Sequence, residues 1–332
     1  MWHNGVPRAG KAKAGCRTSI DLTGRKALVT GGAQGLGEGM AKALAEAGAT
    51  VMIADLQPSG EQSAAALGAG HGFVHLDVTD EAGWEAAIAA TVDHLGGLDI
   101  VVNNAGIEIT ALITEVKVED IRKMLDVNIL GTTLGVKRGL RAMRPGGAAG
   151  QGGTIINVAS VAATIAFPAI SVYSATKSAV DRLTRVAAAE SGKLGYGVRV
   201  NCVYPGLVPT AMGQGLAVDC AELGLFESPE AAVGAVIEMT PSGRLGTVED
   251  IARRSPPPAR SWSTRRPPRR TICNRMRMSS STPTRASCRW WSPASTSWPS
   301  PCRGAAPATR SGSGATRAWR TARPKVASSM PH

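Results

Sequence analysis

From residue 21 to 251 the chain alternates short apolar runs with helical segments, and few folds accommodate that rhythm. The runs at 26–30, 50–54, 72–76, 100–103, 154–158 and 198–203 are rich in Val, Ile, Leu and Ala, and read as strands. The segments 36–47, 60–67, 81–95, 118–143 and 171–193 read as helices. Because the strands are nearly continuously apolar, they are expected to be covered by helices on both faces. Right-handed crossovers between such strands give an α/β fold, a doubly wound parallel sheet in a single domain. Ligands of such sheets bind beyond the C-terminal ends of the strands, so function is sought in the residues that follow each strand.

The first of these places carries Thr30-Gly31-Gly32-Ala33-Gln34-Gly35-Leu36-Gly37, opening directly into a helix. Glycines permit a tight turn and close approach of a pyrophosphate, and the helix start offers unpaired N–H groups and a positive dipole end. Gly31, Gln34, Gly35, Leu36 and Gly37 are therefore candidate cofactor contacts. Asp55 ends the second strand, 18 residues past Gly37. An acid there accepts hydrogen bonds from the adenosine ribose and repels a 2′-phosphate. Two charges about 4 Å apart interact by roughly 4 kcal/mol at an effective dielectric near 20. No Arg or Lys stands in the turn or just after Asp55 to offset this, so NAD is expected, with NADP the alternative.

Other strand ends carry Asp77-Val78, Asn103-Asn104-Ala105-Gly106, Ser160, and Pro205-Gly206. The long fourth helical segment carries Asn128, and the fifth carries Tyr173-Ser174-Ala175-Thr176-Lys177. In order, spacing and placement these motifs resemble the short-chain dehydrogenase/reductase family, whose fold is the Rossmann sheet, across about seven-tenths of the chain, residues 21–251. Tyr173 and Lys177 stand four apart on one helix, so their side chains leave the same face one turn apart. An ammonium beside the phenol, together with the positive nicotinamide of the oxidised cofactor, is expected to favour tyrosinate, letting Tyr173 take the alcohol proton or return it. The resemblance implies that Ser160 orients the substrate oxygen and that Lys177 also grips the nicotinamide ribose. It implies that Asn128 holds a water linking Lys177 to solvent, and that Asp77 and Val78 contact the adenine. Asn104, Ala105 and Gly106 would line the floor beneath the ribose, with bracing of the sheet the alternative role for Asn104, while beyond Pro205 and Gly206, which border the cofactor, Val208 and Thr210 would meet the carboxamide.

The family reading makes the chain an oxidoreductase interconverting secondary alcohols and ketones. Residues 211–239, expected as the substrate lid, are mostly apolar and poor in basic side chains, which suits an alicyclic or steroid-like alcohol. The alternatives are a 3-oxoacyl-carrier-protein reductase, to which Asp55 is the objection because that activity usually draws on NADPH, a dinucleotide-binding scaffold, or an inactive product. No run of about 18 apolar residues is present, and the basic start at 1–20 lacks a signal-like apolar stretch, so a cytoplasmic protein is expected. The six cysteines and five histidines show no metal-ligand spacing, and reduced thiols are expected.

The formal charge of +12 is unevenly spread. From Ile251 onward stand 17 of the 37 basic residues and none of the 25 acidic ones, leaving the rest of the chain at −5. Nucleic-acid binding by the body is therefore not expected. Residues 253–332 hold 12 of the 20 prolines and 5 of the 7 tryptophans without amphipathic period. We read this tail as translation in a shifted frame: Ser261-Trp262-Ser263, if coded TCG-TGG-TCG, falls within a GTC-GTG-GTC valine run one base away. A disordered basic arm is the alternative. Residues 243–251 resemble the entry to the family's last long helix, after which a seventh strand is expected and the Arg/Pro tail stands instead. The family suggests a homotetramer built through that region, which the altered end puts in question.

Overall fold

The computed structural model describes residues 20–253. The expectations for the N-terminal extension before residue 20 and for the tail after residue 253 lie outside the described residues. Six strands form one parallel sheet in the order β3-β2-β1-β4-β5-β6: β1 (Lys26–Thr30), β2 (Thr50–Asp55), β3 (Gly72–His75), β4 (Ile100–Asn103), β5 (Gly153–Val158) and β6 (Val198–Val203). The order reverses between β1 and β4, which opens a crevice at their C-terminal ends. This is the doubly wound Rossmann sheet.

Helices α1 (Gly35–Glu46), α2 (Gly60–Ala66), α3 (Glu81–Leu95), α4 (Val118–Leu125), α5 (Thr132–Met143) and α6 (Ser171–Leu194) alternate with the strands. Two cores result. One lies between the sheet and α3, α5 and α6, around Trp84, Val101, Ile155 and Met143. The other lies on the opposite face around Met40, Leu44, Val51 and Ile53. The central strands β1, β4 and β5 are buried almost throughout, as continuous apolar runs require. The outer strands depart from the expectation of cover on both faces. Only partial burial is seen along β3, at one edge of the described sheet, and β6 alternates, with Arg199 and Asn201 exposed because they face the uncovered side.

The segment 118–143 is helical throughout, as expected, but not regular. A π-helical turn, Asp126–Gly131, separates α4 from α5 and carries Asn128 inward. The apolar period continues across it, so periodicity could not reveal the widened turn. After β6 come α7 (Ala211–Glu222) and α8 (Pro229–Met239), the expected lid, and then α9 (Val248–Ala252). The start of α9 is a capping box: Thr247 Oγ1 accepts from Asp250 N while Asp250 Oδ2 accepts from Thr247 N, each at 3.1 Å. None of the described helices is long and apolar enough to cross a membrane.

A buried polar line crosses the first core. Asn103 Nδ2 donates to Asn157 Oδ1 (2.8 Å), Asn157 Nδ2 to Thr184 Oγ1 (2.9 Å), and Thr184 to Val180 O (2.7 Å). It fastens the ends of β4 and β5 to the middle of α6, where neighbouring apolar contacts could slide but paired amides cannot. Asn157→Ala would strand the Asn103 amide in a dry core, so a loss of about 1–3 kcal/mol is expected, read from the urea midpoint at unchanged slope.

Candidate active site

The glycine turn runs from the end of β1 into α1. Gly31 and Gly35 take left-handed φ values of 61° and 59°, open to glycine at little cost. Gly37 is required by approach instead: a Cβ there would lie 2.0 Å from Gly31 O and 2.5 Å from Asn104 Nδ2. No side chain caps α1, so its leading N–H groups open toward the crevice. A turn with no room for side chains, ending in an uncapped helix start, fits the pyrophosphate of a dinucleotide.

Asn104 holds this turn from the neighbouring strand. Its Nδ2 donates to Thr30 O (3.0 Å) and Gly31 O (3.1 Å), and Thr30 Oγ1 accepts from Asn104 N and Ala105 N, both at 3.1 Å. Of the two roles expected for this side chain, lining a ribose floor and bracing the sheet, the hydrogen bonds show the bracing one. Thr30, which carries half of that joint, was not singled out from the sequence, although its place directly before the glycines was a signal. Asp55 is buried at the end of β2. Each carboxylate oxygen accepts one backbone N–H, Oδ2 from Ala33 and Oδ1 from Gln57, both at 2.9 Å. A carboxylate has about four acceptor positions, so capacity for ribose hydroxyls is left over. Asp77 is exposed, with Oδ1 accepting from Thr79 N and Oγ1, and Val78 O accepts from Trp84 Nε1 at 2.9 Å. On the far side of the crevice, the methyl group of Thr210 lies 3.7 Å from where a Gly35 Cβ would be. The Pro205–Thr210 stretch therefore returns to the glycine turn, with Val208 buried beneath it.

Ser160, Tyr173 and Lys177 come together just past the end of β5. Ser160 caps a short 3-10 turn, its Oγ accepting from Ala162 N at 3.2 Å; its hydroxyl donates to Pro205 O at 3.5 Å and stands close enough to the Tyr173 phenol to lower its pKa. Lys177 is 5% exposed. Its ammonium donates to Val158 O at 2.9 Å and lies 5.6 Å from the Tyr173 ring centroid. Gly106 borders the same group, since a Cβ there would sit 3.3 Å from Lys177 Nζ and 3.1 Å from Asn128 Oδ1. Asn128 is fully buried, and all its amide hydrogens are used: Nδ2 donates to Ile107 O (2.9 Å) and Thr176 Oγ1 (3.0 Å), while Oδ1 accepts from Ile107 N (2.9 Å). Thr176, not singled out from the sequence although it lies between Tyr173 and Lys177, completes the link by donating to Tyr173 O at 2.7 Å.

The electrostatics differ from the sequence expectation. Burial pushes the Tyr173 phenol up to about 12, opposed by the Ser160 hydroxyl and reinforced by the charge of Glu108. The neighbouring Lys177 ammonium does not offset this rise. Burial instead drives the Lys177 ammonium down to about 8. Desolvation disfavours both charged forms, and the lysine's strongest partner is a carbonyl rather than the phenolate. Glu108, in the loop after β4, was missed by sequence reading. Its carboxyl is pushed up to about 7 by burial, with the Thr110 hydrogen bond opposing and Asp219 adding to the rise. No local pattern announces it.

Residues 25–220 match the family model for short chain dehydrogenases, more than half of the chain. The chain belongs to the short-chain dehydrogenase family. Among its curated relatives, trans-4-hydroxycyclohexanecarboxylate dehydrogenase of Sinomonas cyclohexanicum is 38% identical over 224 residues, 64% of this chain and 84% of the relative. The 3-beta-hydroxysteroid dehydrogenase of Comamonas testosteroni is 40% identical over 194 residues, 58% of this chain and 74% of the relative. The L-2,3-butanediol dehydrogenase of Corynebacterium glutamicum is 39% identical over 203 residues, 59% and 77% respectively. This short-chain dehydrogenase is accordingly an oxidoreductase acting on CH–OH groups with a nicotinamide dinucleotide.

Two measurements check the geometry. Gly37→Ala should weaken binding of the reduced dinucleotide at least about tenfold, whereas Gly192→Ala, whose Cβ would meet nothing within 4 Å, should leave it unchanged, by fluorescence titration. The folded pKa of Lys177 lies below its unfolded value, so the unfolded chain binds more protons between pH about 8 and 10.5. The contribution of Lys177 to stability therefore rises with pH across that window. Lys177→Met should then melt no lower than the parent at neutral pH, and its advantage should shrink by pH about 9.5, read as the difference in Tm.

Proposed function

We propose that this short-chain dehydrogenase interconverts a secondary alcohol and its ketone with NAD(H), through Tyr173, Ser160, Lys177 and Asn128. The observation that carries the reading is the meeting of the Ser160 hydroxyl, the Tyr173 phenol and the Lys177 ammonium beside a glycine turn that excludes side chains.

The cofactor would be held by the backbone of Gly31 and of residues 34–37, by Asp55 at the ribose, by Asp77 and Val78 at the adenine, and by the walls Asn104–Gly106 and Pro205–Thr210. Tyr173 and Lys177 would reach its nicotinamide half. When bound, the nicotinamide accepts or supplies the hydride. Tyr173 Oη carries the proton: it receives it from the substrate hydroxyl in oxidation and returns it in reduction. The Ser160 hydroxyl, which donates only a long bond to Pro205 O in the protein alone, would turn to a substrate oxygen entering between it and the Tyr173 phenol. With the phenol near 12, tyrosinate is scarce at neutral pH. Lys177 contributes by remaining charged below pH about 8, where its field opposes the cost of ionising Tyr173. Asn128 holds the loop after β4 against Thr176, one turn from both groups, and its Oδ1 retains acceptor capacity for a water linking Lys177 to solvent.

Asp55 supports NAD over NADP, being buried, anchored by two backbone N–H groups and outside every ion pair of the described residues. An apolar cyclic alcohol is supported by the lid and by relatives named for cyclohexane and steroid substrates. Leu216, Leu225, Phe226 and Val233 pack with Phe167 in a cluster of their own, the Phe167 and Phe226 rings stacked at 5.9 Å, which leaves a largely hydrocarbon lid. The catalytic body would span residues 21–252, ending short of the family's last strand, in a soluble cytoplasmic protein. Its expected tetramer would depend on the replaced C-terminal region.

Near-ultraviolet absorbance with NAD and NADP on a panel of cyclic alcohols tests the reading. NAD should be preferred by roughly a hundredfold in kcat/KM, and Asp55→Ser should narrow that gap. Tyr173→Phe should lower kcat by about 10²–10⁴-fold while NADH still binds. Turnover surviving in Tyr173→Phe would sink the assignment.

A further inference from the structure

Glu108 is a carboxyl for which the reaction above has no use. It sits in the loop between β4 and α4, and the loop is held on both sides of it. Both backbone groups of the preceding residue, Ile107, are bound by the Asn128 side chain at 2.9 Å. Three residues on, Ala111 N donates to Ala169 O at 2.8 Å, fixing the loop to the segment that leads into α6. Glu108 therefore projects from a braced position.

Its partners do not exhaust it. The Thr110 hydroxyl lies 3.1 Å from Oε1 and 3.2 Å from Oε2, and one proton serves only one of them at a time. No ion pair among the described residues includes Glu108. The titratable groups that feel or exert its charge are Tyr173 on α6 and Asp219 and Cys220 on α7, none of them cationic at neutral pH. A half-buried acceptor with spare lone pairs, near enough to the reacting phenol and the lid helix α7 for its charge to reach both, costs stability unless something donates to it. That cost is seen in its raised pKa, near 7.

We propose that Glu108 selects the substrate: it accepts a hydrogen bond from a second, non-reacting hydroxyl, so that the preferred substrates are neutral cyclic diols, while alcohols bearing a carboxylate are disfavoured. This rests on the proposed alcohol oxidation, in which the first hydroxyl is the one served by Tyr173 and Ser160. A site that pairs a buried acceptor with a substrate hydroxyl discriminates strongly against the analogue lacking it, because the acceptor is then left dry and unpaired. The apolar lid covers the ring, and Glu108 supplies the one polar demand beyond the reacting carbon.

The test uses the full chain with NAD and compares kcat/KM for cyclohexanol, for the 1,2-, 1,3- and 1,4-cyclohexanediols, and for 4-hydroxycyclohexanecarboxylate. At least one diol should exceed cyclohexanol by about tenfold to a hundredfold. Glu108→Leu should abolish that ratio, the diol losing its advantage over cyclohexanol whatever common change the removed charge makes at Tyr173. Glu108→Gln keeps an acceptor but drops the charge. It should retain most of the diol preference and raise the carboxylate substrate relative to cyclohexanol. NADH titration confirms that each variant is folded, and Glu108→Gln carries the test if Glu108→Leu is not. Unchanged ratios in the folded variants, or equal losses on every alcohol, would overturn the role of Glu108 and leave the proposed reaction standing. A parent chain that binds NADH yet oxidises none of these alcohols overturns the reaction, and the inference with it.

Discussion

The site depends on the hydrogen bond from the buried Lys177 ammonium to the carbonyl of Val158, the last residue of β5. It ties the start of α6 to the end of a central strand at the place where Ser160 leaves the sheet. Tyr173 is carried one turn earlier on the same helix, so its phenol has little choice but to meet Ser160. The buried line Asn103–Asn157–Thr184 repeats the fastening about two turns further on, and two such joints prevent α6 from sliding along the sheet. Burial that gives this precision also raises the phenol and depresses the amine, so a protein built to position these groups is poorly disposed to ionise them unaided.

A second joint organises the opposite half of the crevice. Thr30 and Asn104 bind one another's neighbours across β1 and β4, and the closeness of that contact is why Gly31 and Gly37 admit no side chain. The glycines are thus explained twice, by the approach of a dinucleotide and by the packing of protein against protein. Asn128 joins the two halves. It grips Ile107 in the loop that follows the glycine-facing strand and Thr176 in the helix that bears the phenol. The π-helical turn is the local device that brings its amide inward to do so.

The strands and most helices were legible because parallel sheets leave a simple mark: short apolar runs separated by segments of helical period. Where the mark failed, the reason is physical. Across Asp126–Gly131 the apolar spacing runs on, and a π turn differs from an α turn by one residue of hydrogen-bond register that no side-chain pattern records. The alternating exposure of β6 was written in its own residues, Val198 and Val200 facing the core while Arg199 and Asn201 face the uncovered side, an alternation hidden when the run is read as continuously apolar. Glu108 resembles any loop acid until Ile107, Thr110 and Asp219 surround it.

By itself the sequence determined the chemistry available: a glycine turn before a helix, an acid after the second strand, and a phenol and ammonium four residues apart on one helical face. These are local features, set by backbone geometry over a few residues. Only the tertiary structure decided which groups meet and in what state of charge. It committed Asn104 to the glycine turn, gave the ammonium a carbonyl, and left a half-buried carboxyl whose charge reaches both phenol and lid. Burial and long-range pairing arise between segments distant in the chain, and no short stretch of residues contains them.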